Sequence, residues 1–310
     1  MKNFGKGLLF IIIFVLLYVA LSYLFLPKEN LARYGMYKTS MYEILGEKRN
    51  TIDTLVVGDS LVYSSVSPME VYDKYGYTMF DCAEAAFLLS DAYEYLKVAV
   101  DAQNPKIVFV EANMFFRNAD KKPWYDRPIK ILKNSLPLIT YHNNWKKMLM
   151  MNNQVNSWTN VSKGYKKNNN VKSSSNFDYM DNKRKKFAEI PEANYEYIEK
   201  IVSFCEKNNI KLIFIGLPSQ KSWNYQKHQI VEELANKYHV TYLNLNLNHE
   251  VEINWKTETK DHGDHLNYLG AKKVSEYIGN YLKSFNILDD HRHEKGYEEW
   301  DRAVKYYMNN

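Results

Sequence analysis

Ile-Asp-Thr-Leu-Val-Val-Gly-Asp-Ser-Leu, residues 52–61, is the stretch of sequence that decides the fold class. Its first six residues are mostly apolar and rich in β-branched side chains, which predicts a short buried strand over Ile52–Val57. Gly58 then ends the strand and leaves Ser60 just beyond its carboxyl end. Because ligands of open α/β sheets bind at that edge, Ser60 is a candidate nucleophile.

Further short apolar runs suit strands and alternate with helical patterns. The strand candidates are Tyr77–Phe80, Ile107–Val110, Leu212–Ile215 and Val240–Leu245, and the helix candidates are Asp91–Ala102, Tyr195–Lys207 and Gln229–Tyr238. Ser90 is the candidate N-cap of the first of these helices. The alternation predicts an α/β fold, a three-layer α/β/α domain over residues 51–284 with a mainly parallel five-stranded sheet.

The composition is that of one globular domain. The chain has 310 residues, 45% of them hydrophobic, and a formal net charge of +5. This small excess predicts mild attraction to an anionic membrane surface or an acidic polymer and no nucleic-acid groove. Cys82 and Cys205 are the two cysteines, and their positions leave a disulfide open without indicating one.

Residues 1–28 predict a membrane anchor at the amino terminus. The run from Leu8 to Leu26 is almost wholly apolar, long enough to cross about 30 Å of hydrocarbon at roughly 1.5 Å per residue. No small-x-small cleavage motif follows it, which favours an uncleaved anchor over a cleaved signal peptide. The short basic tail before the run favours a single-pass protein of the cell membrane with its main domain outside the cytoplasm.

Three other segments lie outside the predicted sheet and its helices. Residues 29–50 form a polar connector, and residues 115–189 form an insertion that begins with helical patterns. Within the insertion, Val161–Lys186 has little apolar surface to bury and is predicted to be a mobile loop. It is either a solvated basic loop or a flap that attracts an anionic polymer or lipid headgroups.

Residues 285–310 contain an amphipathic helix. Tyr297, Trp300, Val304 and Tyr307 are spaced three, four and three apart, which places them on one helical face. The face either packs on the domain or docks on a membrane partner.

A block rich in His and Asp comes just before the last helical pattern, where Lys260–Asn267 reads Lys-Asp-His-Gly-Asp-His-Leu-Asn. A serine hydroxyl needs an imidazole to take its proton and a carboxylate to orient that imidazole. His265 is the candidate base, and Asp261 and Asp264 are the candidate acids.

A metal site is an alternative interpretation of this block. Its ligands would be drawn from His262, His265, His291, His293 and these aspartates. Their spacing matches no zinc pattern, so we predict no metal and no cofactor.

The two blocks resemble those of the SGNH/GDSL hydrolase family. The resemblance rests on Gly58-Asp59-Ser60 after the first strand and on Asp264-His265-Leu266-Asn267 with Gly270-Ala271-Lys272 behind it. It covers most of residues 50–284 and, with the anchor, is similar to membrane-anchored members found with bacterial cell-surface polymer acylation systems. It implies that Ser60 is the nucleophile and His265 the base.

The family usually has its acid three residues before the histidine, where this chain has His262. Asp261, four residues before, shares a face with His265 if the segment turns helically, whereas Asp264 is adjacent and points elsewhere. Although Gly263 disfavours a regular helix there, Asp261 is the favoured acid and Asp264 its rival.

The resemblance also implies an oxyanion hole built from a Gly amide, an Asn side chain and the serine amide. The loop after the second strand, Ala83–Ala86, has no Gly, so the N–H of Ala86 is the candidate donor. Asn113, just beyond the third strand, is the candidate side-chain donor, and Asp59 completes the predicted substrate-binding residues.

The resemblance implies serine-dependent transfer or hydrolysis of an acyl group, with acetyl favoured. The expected substrate is an anionic or neutral extracytoplasmic polysaccharide or cell-wall polymer, and the expected partner is a multi-pass membrane O-acyltransferase. Two alternatives stay open: a carbohydrate acetylesterase acting alone, and a non-catalytic accessory that binds the polymer or the acyltransferase on a degenerate hydrolase fold.

Overall fold

The computed structural model describes residues 2–25, 44, 46–118, 161–175, 178–183, 187–247, 249 and 251–309. Most of the predicted connector and the helical part of the predicted insertion lie outside these residues. Helix α1 spans Lys2–Phe25, and its large apolar side chains between Leu8 and Leu21 are exposed. Within the described ranges, no helix is both long enough and apolar enough to cross a membrane.

Five parallel strands form one sheet. They are β1 (Thr54–Gly58), β2 (Met79–Ala83), β3 (Ile107–Glu111), β4 (Lys211–Gly216) and β5 (Thr241–Asn244), arranged in the order β2-β1-β3-β4-β5. Thr54 pairs with Met79 on one side of β1 and with Ile107 on the other, so these three strands end together. The predicted parallel five-stranded sheet is confirmed.

Helices cover both faces of the sheet, which is why its strands are continuous apolar runs. On one face lie α2 (Val62–Ser65), α3 (Pro68–Tyr75) and α7 (Tyr268–Lys283), and on the other lie α4 (Leu89–Gln103), α5 (Glu192–Lys207) and α6 (Tyr225–Tyr238). Alternate strand residues point to the two faces: Val56 joins the core under α7, whereas Leu55 and Val57 join the core under α4. The architecture is therefore three-layer α/β/α.

Two local details differ from the sequence predictions. Helix α4 begins earlier than expected, with Leu88 at its N-cap and no side-chain cap, so Ser90 lies inside the helix. Cys82 and Cys205 are both buried, and the disulfide left open by the sequence does not form between them. Both residues lie in the apolar core beneath α4 and α5.

Residues 161–175, here called the strap, lie along the domain and hydrogen-bond to it, within the segment Val161–Lys186 whose composition predicts a mobile loop. The strap binds the domain mainly through its backbone. Four hydrogen bonds join it to other parts of the chain: Asp81 N–H to Lys163 O (2.9 Å), Lys166 N–H to Tyr63 O (2.8 Å), Lys172 N–H to Thr259 O (3.0 Å) and Tyr268 N–H to Asn168 O (2.7 Å). Such bonds order a polar segment that has few apolar side chains to bury. The first of them also covers the open edge of β2.

The buried side chain of Lys163 binds the start of the strap to the domain. Its Nζ donates to Glu47 Oε2 at 2.7 Å and lies 4.5 Å from the centre of the Trp300 ring. Trp300 belongs to α8 (Glu298–Asn309), whose buried residues Trp300, Ala303 and Tyr307 face the domain. The amphipathic face predicted near the carboxyl end is thus packed on the domain, where the Trp300 and Tyr72 rings lie 5.2 Å apart.

Asp81 on β2 gives a prediction about stability and pH. It is fully buried, and its carboxylate oxygens have no hydrogen-bond partner among the described residues. Burial raises the pKa of Asp81 well above its usual value. The folded protein therefore keeps a proton that the unfolded chain releases above about pH 3.9, and the free energy of unfolding falls as pH rises through that range.

We expect Asp81→Asn, which cannot ionise, to gain stability relative to the wild type as the pH increases from about 4 to 8. Urea unfolding at both pH values measures the difference. Asp101→Asn, at an aspartate whose side chain is 82% exposed, is the matched control. A gain for Asp81→Asn that is the same at both pH values would contradict the expectation.

Candidate active site

Strand β1 carries Ser60 to the carboxyl edge of the sheet. The chain turns sharply there: Leu61 N–H donates to Asp59 Oδ1 at 2.9 Å, and Val62 N–H donates to Asp59 O at 3.1 Å as α2 begins. Gly58 is required at the start of this turn, because an added Cβ would collide with the Val62 side chain and lie 2.7 Å from Glu111 Cβ. The absence of a side chain at Gly58 thus lets β1 and β3 pass close together beneath the serine.

The structure brings Ser60, His265 and Asp261 into one chain of hydrogen bonds. Ser60 Oγ lies 2.8 Å from His265 Nε2, and His265 Nδ1 lies 2.5 Å from Asp261 Oδ2. The backbone N–H of His265 also donates to Asp261 Oδ1 at 2.7 Å. This is the geometry by which an imidazole activates a serine and a carboxylate orients the imidazole.

The four-residue spacing of Asp261 and His265 is bridged by a tight turn instead of a helix. His262 and Gly263 both adopt the left-handed conformation, with φ of 65° and 89°. Thr259 Oγ1 accepts from Gly263 N–H at 2.8 Å and donates to His265 O at 3.0 Å, which closes the turn. Gly263 suits this position because its φ is one that residues with a side chain rarely adopt.

Asp264, the rival acid, serves a different set of contacts. Its Oδ1 accepts from Ser222 Oγ at 2.6 Å and from Ser219 Oγ at 3.2 Å, while its Oδ2 lies 3.7 Å from His265 Nδ1. These serines follow β4, so Asp264 ties the histidine turn to the end of that strand. His262, at the position where the family has its acid, instead has its Nδ1 2.9 Å from Ser173 O on the strap.

The charge of Asp261 follows from two opposing effects. Burial raises the pKa of Asp261, but the hydrogen bonds from the backbone and imidazole of His265 outweigh it, and the pKa lies below its usual value. Asp261 is therefore ionised at neutral pH. An ionised Asp261 keeps the proton of His265 on Nδ1 and leaves Nε2 free to accept the Ser60 proton.

Ala86 occupies the position at which the family resemblance implies a Gly amide. It is exposed, follows β2 and has a φ of 54°, in the left-handed region that glycine adopts freely. Its N–H, like that of Ser60, makes no hydrogen bond within the described part of the chain. Both amides are thus free to bind a developing oxyanion.

Asn113, the predicted side-chain donor, lies in a 3₁₀ helix over Ala112–Phe116 with its orientation fixed by two neighbours. Its Oδ1 accepts from Lys227 Nζ at 2.7 Å, and its Nδ2 donates to Asp59 Oδ2 at 3.3 Å. Because Asp59 directly precedes Ser60, this bond joins the 3₁₀ helix after β3 to the serine turn. One of its two N–H groups is left for another acceptor.

A charged network of two buried carboxylates and two half-buried cations supports these groups. Sequence reasoning missed three of its members: Glu111, Arg117 and Lys227. Asp59 is buried and accepts a short, charge-assisted hydrogen bond from Arg117. Burial, and after it the Asp59 charge, raises the pKa of Glu111. Burial lowers the pKa of Lys227, although the negative charges of Glu111 and Asp59 act in the opposite direction. The one sequence signal was Glu111 itself, a carboxylate at the end of an apolar strand.

Two groups of described side chains have ligand atoms close enough to share a metal ion. The first, Asp261, Asp264 and His265, is the hydrogen-bonded site above. The second group consists of Asp53, Asp289 and His291. Here the ammonium of Lys106 supplies the positive charge, with Nζ 2.9 Å from Asp289 Oδ2 and 3.5 Å from Asp53 Oδ2. His262 and His293, the other histidines considered for a metal, belong to neither group.

No protein-family model matches the chain, and no curated protein sequence matches it. Among solved structures it is similar to the lipase/acylhydrolase from Enterococcus faecalis, with 10% identity, 77% of this chain and 98% of that chain covered, and a TM-score of 0.42. It is also similar to a family 3 carbohydrate esterase from Clostridium thermocellum, with 15% identity, 76% and 96% covered, and a TM-score of 0.37. A GDSL-like lipase from Bacteroides thetaiotaomicron gives 10% identity, 75% and 88% covered, and a TM-score of 0.39.

Proposed function

We propose that this chain is a serine-dependent ester hydrolase or acyltransferase of the SGNH/GDSL type. The observation that carries the proposal is the hydrogen-bonded series Ser60–His265–Asp261 at the carboxyl edge of the parallel sheet. The free amides of Ser60 and Ala86 and the fixed side chain of Asn113 support it, because acyl transfer needs donors for a developing oxyanion.

In the proposed reaction, Ser60 Oγ attacks the carbonyl carbon of an ester while His265 Nε2 takes its proton. The tetrahedral oxyanion is held by the Ser60 and Ala86 N–H groups and by Asn113 Nδ2. Collapse of this intermediate breaks the bond to the leaving alcohol, which receives the proton from His265. Water or a sugar hydroxyl then attacks the acyl-enzyme with His265 again as base, releasing the acid or a new ester and restoring Ser60.

We further propose an acetyl group as the acyl group and an extracytoplasmic polysaccharide or cell-wall polymer as the substrate, with a membrane O-acyltransferase as partner. The support for these points is the sequence resemblance. A carbohydrate acetylesterase acting alone is the second candidate, because the same site serves either acceptor. Adding a soluble oligosaccharide to an acetate-ester reaction separates them: transfer yields acetylated sugar, whereas hydrolysis yields only acetate.

We also propose that residues 8–26 anchor the chain in the cell membrane with the main domain outside. The support for this proposal is the apolar run in the sequence. Alkaline carbonate extraction of membranes tests the anchoring, since it releases peripheral proteins and retains spanning ones. Recovery of the full chain in the soluble fraction would contradict it.

The central test treats the full chain with a chromogenic acetate ester and, separately, with a fluorophosphonate that reacts with activated serines. We expect turnover of the ester and one covalent label per chain, located at Ser60 by peptide mass spectrometry. A chain that neither turns over the ester nor takes up the label would contradict the proposed function.

Lys227 is expected to position Asn113 without touching the substrate. Lys227→Met removes the hydrogen bond to Asn113 Oδ1 but keeps a long apolar stem beside the Phe116 ring, which the ammonium faces at 5.0 Å. We expect kcat to fall about tenfold with little change in KM, less than the ~10²-fold loss typical of a direct oxyanion donor.

Lys237→Met is the matched control, because Lys237 lies on the same helix, is 60% exposed and contacts Glu199 at 3.8 Å and the Tyr238 hydroxyl at 3.0 Å instead of Asn113. It is expected to keep the wild-type kcat. Equal losses in the two variants would show that the effect comes from helix α6 and not from Asn113.

A further inference from the structure

Tyr63 and Ser64 lie in α2, three and four residues after Ser60, which lies in the turn just before this helix. Tyr63 is close enough for its hydroxyl to hydrogen-bond with the Ser60 side chain. Burial raises the pKa of Tyr63, and the bond to Ser60 lowers it by a smaller amount. Whatever binds around Tyr63 therefore lies beside the nucleophile.

The strap places a cation on this tyrosine. Lys166 N–H donates to Tyr63 O at 2.8 Å, and Lys166 Nζ lies 4.0 Å from the centre of the Tyr63 ring. The Lys166 side chain is exposed. The backbone bond fixes where the lysine leaves the strap, so the ammonium stays at the rim of the serine site.

The residue just before the histidine turn supplies a second cation to the same ring. Lys260 Nζ donates to Ser64 Oγ at 2.8 Å and lies 5.9 Å from the centre of the same Tyr63 ring. Lys260 directly precedes Asp261, so its position is tied to the acid of the site. Burial lowers the pKa of Lys260; the Asp261 charge opposes this effect and the Lys166 charge adds to it.

Neither ammonium has a carboxylate partner in the part of the chain that the structure describes. Over the described residues, Lys166 and Lys260 form no ion pair, although many other lysines of the domain do, Lys106 and Lys273 among them. Two positive charges lie 4.0 and 5.9 Å from the centre of one aromatic ring, next to a nucleophile, and a bound anion would neutralise them.

We propose that Lys166 and Lys260 form an anion subsite, and that the ester substrate carries a carboxylate or phosphate close to its acyl group. The inference rests on the proposed function and narrows its substrate from surface polysaccharides in general to acidic ones. The subsite holds the charged group of the polymer beside Tyr63 while the ester carbonyl lies over Ser60.

The test uses three acetylated monosaccharides that share one acetyl ester and differ in a single substituent, a hydroxymethyl group, a carboxylate or a phosphate. With the full-length wild type at low salt, we expect kcat/KM for at least one charged ester to exceed that of the neutral ester about tenfold. The preference should shrink as salt is added, because the subsite is partly exposed. The two charged arms distinguish a carboxylated from a phosphorylated polymer.

The variants are Lys166→Gln alone and Lys166→Gln with Lys260→Gln. Each should reduce the ratio of charged to neutral kcat/KM, and the double variant should remove the preference. Lys211→Gln is the matched control: Lys211 is also exposed and faces an aromatic ring, Phe285 at 4.4 Å, but begins β4 at the opposite edge of the sheet. It should keep the preference.

Equal kcat/KM for all three esters in the wild type, or an undiminished preference in the double variant, would overturn the subsite and leave the proposed function standing. Loss of turnover on every ester would contradict the proposed function instead. A binding arm keeps the subsite testable in that case: Ser60→Ala protein titrated with the unacetylated charged sugars should bind them more tightly than the neutral sugar, and equal binding would overturn the subsite.

Discussion

Replacing Ser60 by alanine is expected to lower kcat for an acetate ester by roughly 10⁴- to 10⁶-fold, the loss seen when the nucleophile of a serine triad is removed. The reason is that no other described hydroxyl lies within hydrogen-bond reach of His265 Nε2. Initial rates with a chromogenic ester, measured on the full chain, give the value. Residual activity should come only from binding and from the oxyanion donors.

The same experiment tests whether Ser60 and His265 act as one unit. His265→Ala should cost about as much as Ser60→Ala, and the double variant should be no slower than either single variant. Ser284→Ala, at an exposed serine that ends α7, is the control for an unrelated hydroxyl deletion. Losses that multiply in the double variant would show that the two residues act independently.

The second large effect separates the two aspartates. Asp261→Asn should lower kcat by about 10³- to 10⁴-fold, because an amide at this position no longer requires the proton on His265 Nδ1. Asp264→Asn removes the same charge from a residue bound to Ser219 and Ser222, and we expect a loss below about tenfold. Because both changes are isosteric and lie three residues apart, they control for each other.

Both variants should fold, and circular dichroism and unfolding midpoints check this before rates are compared. Equal losses would mean that the two carboxylates share the orienting role, and a larger loss for Asp264→Asn would reverse the assignment. The Asp261 variant should keep Ser60 in place, since the turn after β1 is held by Asp59 and not by the histidine loop.

The sheet could be predicted from sequence because its strands are buried on both faces. A run such as Ile107–Val110 has no polar interruption, and its length and β-branched residues distinguish it from a helix. The order of the strands did not enter that prediction, because it depends on which apolar runs meet in space. The predicted N-cap at Ser90 failed for the opposite reason, since α4 begins with a residue that has no capping side chain.

The strap could not be predicted because the bonds that order it reach distant parts of the chain. Composition predicts whether a segment can bury apolar surface, and residues 161–175 cannot bury much. Their order instead comes from main-chain hydrogen bonds to β2, to Tyr63 and to the start of α7. Backbone groups are the same in every residue, so these bonds leave no mark in the sequence.

Only part of the candidate site could be predicted from the sequence, because some of its residues lie in motifs and others do not. Ser60 and His265 lie in short motifs whose residue types belong to one chemistry, so the sequence indicates them directly. Arg117 and Lys227 are single charged residues in unremarkable surroundings, and they meet Asp59 and Asn113 only once β1, β3 and α6 are assembled. Supporting residues of this kind require the structure.

The strap also has a consequence for the order of folding. It joins β2, the serine segment, the histidine turn and α7, which are far apart in the chain, so its bonds close long loops at a high entropic cost. The pairing of β3 with β4, which begins with Ile107 opposite Lys211, closes a loop of similar length within the sheet. Catalytic competence is therefore expected only once the long-range contacts of both the sheet and the strap have formed.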